Sequence, residues 1–138
     1  MRNFSSILLF LLGIFSTASH AEEDLYTKKI VAHVDLTNQR MHVTIEGLSA
    51  HTWKISSGRS GYLTPTGTYQ PKFLHRMHYS RQYDNSPMPH SVFFFRGYAV
   101  HGTSYVQRLG RPASHGCIRL AKPHARKFFD LVKAFGKS

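Results

Sequence analysis

The most reactive side chain in this sequence is its single cysteine, Cys117, which lies within residues 114–119 (SHGCIR). A thiol becomes nucleophilic when its thiolate is favoured, and the neighbouring His115 and Arg119 are side chains that favour it. Gly116 lets the backbone turn tightly, and amide N–H groups around such a turn can point at a developing oxyanion. The segment therefore predicts a nucleophilic cysteine, against the alternative of a buried, inert thiol.

A nucleophilic thiol also needs a base within hydrogen-bond reach. His115 is adjacent to the cysteine, but adjacency alone does not aim the two side chains at each other. His101 ends a predicted strand, is followed by Gly102 and lies 16 positions before Cys117. Because a loop of that length can return the chain to the same end of a sheet, we favour His101 as the base.

A zinc site is the alternative interpretation of these side chains. His101, His115 and Cys117 are all residue types that bind zinc in proteins. No carboxylate or second cysteine completes the set, so we predict neither a metal nor another cofactor.

The N-terminus has the three-part pattern of a secretory signal. Arg2 gives a positive start, residues 7–15 are mainly apolar, and Ser19 and Ala21 are the small residues of a cleavage site. The apolar part is too short for a permanent membrane span. We predict a signal peptide over 1–21, a short leader over 22–28 and one domain over 29–138, exported to the periplasm or cell envelope; an uncleaved anchor is the alternative.

The predicted export affects the interpretation of the single cysteine and of the net positive charge. A single thiol in an oxidising compartment cannot form an internal disulfide, which favours a reactive role. The chain has 18 Lys and Arg against 7 Asp and Glu. Such a basic surface attracts polyanions, here envelope polymers or membrane surfaces rather than nucleic acid, unless the charge only maintains solubility.

Apolar alternation predicts a mainly β domain that positions these residues. Two alternating runs, 30–34 and 41–45, flank a turn at 37–39 and predict a hairpin. Further strands are expected at 53–56, 67–74, 92–95 and 98–100. Residues 75–90 are polar and contain Pro87 and Pro89, so we expect an irregular loop there, of the kind that serves as a lid or binding wall.

One helix is predicted near the end of the chain. Pro123 suits a first helical position. The apolar residues that follow it recur at helical spacing: Ala125, Phe128, Phe129, Val132 and Phe135.

The cysteine segment resembles the signature of the L,D-transpeptidase catalytic domain, also called the YkuD domain. His101-Gly102, a loop and residues 114–119 carry the resemblance, which extends over about residues 29–132. Weaker similarities are the hairpin around Gln39, Ser57-Gly58 followed by Thr64 to Gly67, and the pair Met88-Pro89. The resemblance implies a YkuD-like β-sandwich with one helix following the catalytic cysteine loop. The family usually adds a strand after that helix, which we expect to be missing or replaced before Ser138.

The resemblance also implies roles for individual residues. Cys117 would be the nucleophile and His101 its proton acceptor and donor, oriented by the Gly102 carbonyl. Ser114 and His115 would support the site. The amides of Gly116 and Cys117 would form the oxyanion hole. Substrate contacts would come from Arg119, Met88 and Tyr98. Arg119 would brace the loop or face a substrate carboxylate.

The implied reaction is acyl transfer on peptidoglycan tetrapeptide stems through a cysteine thioester. The acceptor would be an amine of a neighbouring stem, giving 3-3 crosslinks, or an amine of an outer-membrane protein or lipoprotein. Water as acceptor would make the protein an L,D-carboxypeptidase. An alternative from another class is a non-catalytic, basic envelope-binding protein.

Overall fold

Residues 30–135 are described by the computed structural model, and the predicted signal peptide (1–21) and leader (22–28) lie outside them. The elements in chain order are β1 (Ile30–Asp35), β2 (Arg40–Ile45), β3 (Leu48–Lys54), β4 (Phe73–Ser80), β5 (Ser86–Phe95), β6 (Tyr98–Thr103), β7 (Ile118–Ala121) and α1 (Lys122–Phe135). Single 3-10 turns occur at Arg81–Tyr83 and Val106–Arg108.

The first sheet has three antiparallel strands in the order β1-β2-β3. The predicted hairpin is confirmed, with Val34 opposite Met41 across the turn. The third strand begins at Leu48, earlier than the predicted start at residue 53. Its first three residues are exposed, so they carry no apolar alternation that could have marked them.

The second sheet has four strands in the order β4-β5-β6-β7. The predicted strand at 67–74 and the predicted loop at 75–90 are wrong, because β4 runs from Phe73 to Ser80 and β5 begins at Ser86. β4 is a mostly exposed edge strand, and its sequence does not alternate regularly between apolar and polar residues. Pro87 and Pro89 are tolerated because residues 86–91 pair only with β4, and β6 joins β5 from Val92 onward.

The hydrophobic core is shared by both sheets and the helix. Met41 and Val43 come from the first sheet, Leu120 from the second and Phe128 from α1, and all four side chains are buried. Burying a side chain such as that of Leu120 contributes about 1.5–3 kcal/mol. The predicted fold class, a mainly β-sandwich with one helix after the cysteine loop, is confirmed.

The helix begins at Lys122, one residue before Pro123, and buries Ala125, Phe128, Phe129 and Val132 as the spacing predicted. With 14 residues it does not reach the length that a bilayer crossing requires, and no helix within 30–135 does. The strand that usually follows this helix in the family would lie beyond Phe135, outside the described residues.

Candidate active site

The site is organised by the parallel pairing of β6 with β7. Val100 is the register partner of Ile118, and His101 is the partner of Arg119. Side chains alternate between the two faces of a sheet. Val100 and Ile118 therefore point into the core, whereas His101 and Arg119 share the opposite face with Cys117, which directly precedes β7.

His101 is held as a neutral imidazole. Only 7% of the residue is exposed, and Nδ1 donates a hydrogen bond to the Gly102 carbonyl over 2.7 Å. Because a carbonyl can only accept, the proton is on Nδ1 and Nε2 keeps its lone pair. Burial lowers the pKa of His101 to about 4, helped by the charges of Arg119 and His78 and opposed by the Gly102 hydrogen bond.

Cys117 is a protonated thiol in the resting site. Its Sγ accepts a hydrogen bond from the Ala99 amide at 3.4 Å and lies 4.0 Å from the Gly97 carbonyl oxygen. Burial raises the pKa of Cys117, and this effect outweighs the Ala99 amide and the charge of Arg119. The thiolate expected from the neighbouring cationic residues is therefore not favoured, and a base would have to remove the proton before the sulfur could act as a nucleophile.

The segment around Cys117 is fixed by Ser114. The Ser114 hydroxyl donates to the Cys117 carbonyl at 2.6 Å and accepts from the Gly116 amide at 3.0 Å. Since Gly116 N–H already has this partner, it does not point freely at a substrate oxyanion. Of the two amides expected in the oxyanion hole, Cys117 N–H is the stronger candidate.

A side chain at position 116 would be strained, both by the backbone conformation and by the Tyr98 ring. The φ of Gly116 is +122°, and a Cβ there would lie 2.5 Å from Cε1 of Tyr98. Tyr98, expected as a substrate contact, thus packs directly against the cysteine loop. Its ring also stacks on Phe95 at a centroid distance of 6.3 Å.

A strap formed by residues 55–59 holds the cysteine loop against the sheet. Ser56 exchanges two backbone hydrogen bonds with Arg119, at 2.8 and 3.0 Å. The Ser57 carbonyl accepts from the amides of Ala113 and Ser114, both at 2.9 Å, and the Arg59 amide donates to the Ser114 carbonyl at 3.0 Å. The strap therefore fixes both ends of the cysteine loop.

Two buried polar side chains anchor the strap. Gln39 receives the Ser57 amide on Oε1 at 2.9 Å and donates from Nε2 to the Ser57 hydroxyl at 2.7 Å. Thr64 accepts from the Gly58 amide at 2.9 Å and donates to the Gly116 carbonyl at 2.8 Å. Buried polar groups that are fully paired in this way specify one loop arrangement.

His115 lies at the surface between two tyrosines. Its ring stacks on Tyr83 at 4.0 Å and meets the edge of Tyr62 at 4.7 Å. Arg59 Nη2 lies 3.3 Å from His115 Nε2, and since arginine only donates, that nitrogen accepts. Desolvation lowers the pKa of His115, and Arg59 and Arg119 add to this. His115 thus lies at the rim of the site. The connection between β4 and β5 contacts His115 through the ring of Tyr83.

The remaining predicted substrate contacts line the site differently. Met88 is buried and forms an apolar floor with Phe93 and Ala99, against which Cys117 packs. Arg119 is half-buried, and its Nη1 lies 3.5 Å from the Ala113 carbonyl, a long contact that braces the loop. Burial and the charge of Arg108 lower the pKa of Arg119.

Sequence reasoning missed several residues of this site. Gln39 and Thr64 lie in a predicted hairpin and a predicted turn, and nothing in their spacing predicts that both are buried. The roles of Arg59 and Tyr83 depend on contacts that cross more than thirty residues of sequence. Within residues 30–135, no group of three or more His, Cys, Asp or Glu side chains is placed to hold a metal ion.

Comparison with known proteins identifies the family. The family model described as the L,D-transpeptidase catalytic domain (YkuD) matches residues 29–136. The chain belongs to this family. No curated protein matches the chain in sequence.

Solved L,D-transpeptidases share the fold. The enzyme from Stackebrandtia nassauensis is 26% identical with a TM-score of 0.69, covering 76% of this chain and 51% of its own. The Mycobacterium smegmatis enzyme is 22% identical with a TM-score of 0.68, and the match covers 74% of this chain and 54% of that enzyme. L,D-transpeptidase 3 from Mycobacterium tuberculosis, in complex with a faropenem-derived adduct, is 23% identical with a TM-score of 0.66, covering 74% and 55%. The chain thus spans about half the length of these structures.

The Gly116→Ala variant should lose stability and the geometry of the cysteine loop. A non-glycine residue at this φ costs about 1–3 kcal/mol, and the added methyl must displace the Tyr98 ring. Thermal unfolding followed by circular dichroism would measure the loss. Gly97→Ala is the matched control, because a Cβ at Gly97 meets nothing within 4 Å. Equal melting temperatures for the two variants would contradict this account.

The rate of alkylation of Cys117 should rise at a higher pH than the rate for an ordinary thiol. The pKa of Cys117 is raised, so less thiolate is present at neutral pH than in glutathione, and iodoacetamide should react more slowly. Second-order rates measured from about pH 6 to pH 10 on both thiols would test this. A plateau already reached below the titration of glutathione would instead indicate a thiolate–imidazolium pair.

Proposed function

We propose that this protein is a cysteine-dependent L,D-transpeptidase that transfers an acyl group from a peptidoglycan tetrapeptide stem to an amine. Family membership supports the reaction class. The observation that carries the assignment of the residues is the β6–β7 register, which puts Cys117 and the basic Nε2 of His101 on one face of adjacent strands.

The first step forms a thioester. As Cys117 Sγ attacks the carbonyl carbon of the third stem residue, its proton passes to His101 Nε2. The tetrahedral oxyanion would be met by the Cys117 amide. When the amide bond breaks, the imidazolium returns the proton to the leaving nitrogen, and the terminal D-alanine departs as a free amino acid.

The second step resolves the thioester. An acceptor amine attacks the carbonyl and gives its proton to His101, and Cys117 leaves with that proton restored. The acceptor we propose is the side-chain amine of a neighbouring stem, or an amine on an outer-membrane protein or lipoprotein. We therefore propose that the protein acts in the periplasm or cell envelope, which the predicted signal peptide supports.

The neutral state of both groups fits this mechanism. A buried imidazole with a pKa of about 4 is unprotonated at neutral pH, so it is ready to accept a proton. The thiol has a raised pKa, so proton transfer and attack must be coupled. The apolar floor of Met88, Phe93 and Ala99 supports the same conclusion, since it excludes water that would stabilise a resting ion pair.

The central test is covalent trapping at the cysteine. Incubation with disaccharide-tetrapeptide should give a thioester on Cys117, detectable by intact-protein mass spectrometry. Faropenem, which forms an adduct in L,D-transpeptidase 3 from M. tuberculosis, should also add to this residue. Cys117→Ala should abolish both adducts, and His101→Ala should slow them by about 100-fold or more.

His33→Ala is the control for His101→Ala, because His33 is an exposed histidine of β1 far along the chain from the motif. It should react like the wild type. A folded wild-type protein that forms neither adduct would favour the non-catalytic envelope-binding alternative. Analysis of products from isolated sacculi then separates 3-3 crosslinks, attached protein and trimmed stems, the last indicating an L,D-carboxypeptidase.

Acylation should persist to unusually low pH. Its acid limb follows protonation of His101, whose pKa is lowered from 6.5 to about 4, so the neutral base is lost only as the pH falls through about 4. The rate of faropenem acylation, measured from neutral pH downward, should show its midpoint there. Circular dichroism at each pH separates titration from unfolding. A midpoint near 6.5 in folded protein would contradict the proposed state of His101.

A further inference from the structure

β4 is an edge strand of the second sheet, and its outer side is unpaired. The strand order is β4-β5-β6-β7, so β4 pairs with β5 on one side only. Within residues 30–135, no backbone group outside β5 bonds to the main chain of Phe73–Ser80. The outward N–H and C=O groups of β4 are therefore free to pair with a further strand.

β4 lacks the features that usually keep an edge strand from pairing. Natural edge strands are short or bulged, or they carry proline or lysine. β4 has eight residues, pairs with β5 without a register shift and contains neither proline nor lysine. The opposite edge, β7, has four residues, and Ser56 already pairs with its Arg119. Of the two edges of this sheet, β4 is the one open to a partner strand.

The exposed side chains of β4 indicate the chemistry of that partner. Phe73, Met77 and Tyr79 are 44%, 47% and 54% exposed, so the strand presents apolar surface. Residues 72–83 contain three Lys or Arg, two His and no acidic residue. A second copy of β4 would bring the same positive charges against these, whereas an acidic strand would neutralise them. The charge therefore favours an acidic partner over self-association.

The exposed edge is continuous with the floor of the candidate active site. The Phe73 ring stacks on the Phe93 ring at a centroid distance of 4.5 Å. Phe93 is the register partner of Phe73 on β4 and of Ala99 on β6. The Ala99 amide lies 3.4 Å from Cys117 Sγ. One row of residues across the sheet thus connects the outer strand to the thiol.

The spacing of strands sets how far a docked segment would lie from the thiol. Neighbouring strands are about 4.8 Å apart, so a strand added to β4 would lie about 14 Å from β6. An extended chain advances about 3.3 Å per residue, so about four residues cover that distance. The chain that continues from a docked segment can therefore reach Cys117.

We propose that β4 is the docking strand for a protein acyl acceptor. An extended acidic segment of that protein, with apolar side chains at alternate positions, pairs with the free edge of β4. The chain continuing from this segment presents an amine to the thioester. This inference rests on the proposed acyl transfer, in which the C–N bond forms as the C–S bond breaks, and one amine proton passes through His101 to the sulfur of Cys117.

A peptide-binding experiment tests the docking strand without any peptidoglycan. The probe is a fluorescein-labelled peptide of alternating Glu and Val, about nine residues long, and binding is followed by fluorescence anisotropy. A peptide of alternating Lys and Val should bind at least about tenfold more weakly, and salt should weaken the binding of the Glu–Val peptide. Replacing its central Val with Pro should also weaken binding, because proline cannot donate to a strand ladder.

Hydrogen exchange decides whether the peptide pairs as a strand. The bound Glu–Val peptide should slow the exchange of amides in residues 73–80, because their outward N–H groups gain an acceptor. The amides of β3 are the internal control and should exchange as before. No binding, or binding without protection of residues 73–80, would overturn the proposal.

Variants of exposed residues locate the docked peptide. Arg76→Glu should weaken binding of the Glu–Val peptide by about tenfold or more and strengthen binding of the Lys–Val peptide. Arg126→Glu is the matched control, because Arg126 is exposed on α1. The double variant Met77→Thr, Tyr79→Thr should bind the Glu–Val peptide about tenfold more weakly through lost apolar contact, whereas Leu48→Thr on β3 should bind it normally. Unchanged affinities in β4 variants that circular dichroism shows to be folded would overturn the proposal.

Two other occupants of the edge would give different results. A wild-type dimer in analytical ultracentrifugation that dissociates in the Met77→Thr, Tyr79→Thr variant would assign the edge to a second copy. Peptide binding that appears only after Glu22, Glu23 and Asp24 are neutralised would assign the edge to the leader. Either result would overturn the docking of an acceptor.

Acyl transfer connects docking to the proposed reaction. The protein receives disaccharide-tetrapeptide and a blocked Glu–Val peptide whose single lysine follows the docking sequence directly or about five residues later. Mass spectrometry should show a kcat/KM for the longer peptide at least about tenfold higher than for the shorter one or for the Lys–Val analogue. Equal transfer to all peptides would overturn the docking and leave the proposed function intact. No thioester with the donor would remove the proposed function, whereas peptide binding and exchange protection would still report the docking strand.

Discussion

The parallel pairing between β6 and β7 is the contact on which the candidate site depends. It joins residues that are 16 positions apart, and it puts His101 and Cys117 on the same face of the second sheet. Parallel neighbours cannot be connected by a tight turn, since the chain must cross back to the starting end of the sheet. Here residues 104–117 make that crossing with one 3-10 turn and no α-helix. A crossing without a helix has few hydrogen bonds of its own, so other parts of the chain must fix it.

The strap at residues 55–59 supplies those bonds. Its serines accept and donate to both ends of the crossing, at Arg108, Ala113 and Arg119. Gln39 and Thr64 in turn fix the strap, so the first hairpin and the turn before β4 contribute to the geometry of a cysteine far along the chain. The first sheet is therefore part of the support of the site, although it contributes no reacting group.

The residues of the candidate site that lie in the cysteine segment could be predicted from the sequence because their chemistry is local. Ser114, Gly116 and Cys117 lie within four consecutive residues, and the helix after them has regular apolar spacing. The hairpin was predictable for the same reason, since its alternation is complete on both strands. β4 and the start of β5 were not predictable, because an exposed edge strand lacks apolar alternation and because Pro87 and Pro89 ordinarily argue against a strand. The prolines fit because this half of β5 pairs only with β4, whereas β6 pairs with β5 from Val92 onward.

The state of the thiol was also not predictable from neighbouring residue types. Cationic and imidazole neighbours favour a thiolate, yet the site is buried against Met88 and Phe93, and the burial of Cys117 outweighs the charge of Arg119. The same burial lowers the pKa of His101, so both partners remain neutral. A neutral pair leaves the positive charge of Arg119 without a thiolate to neutralise it.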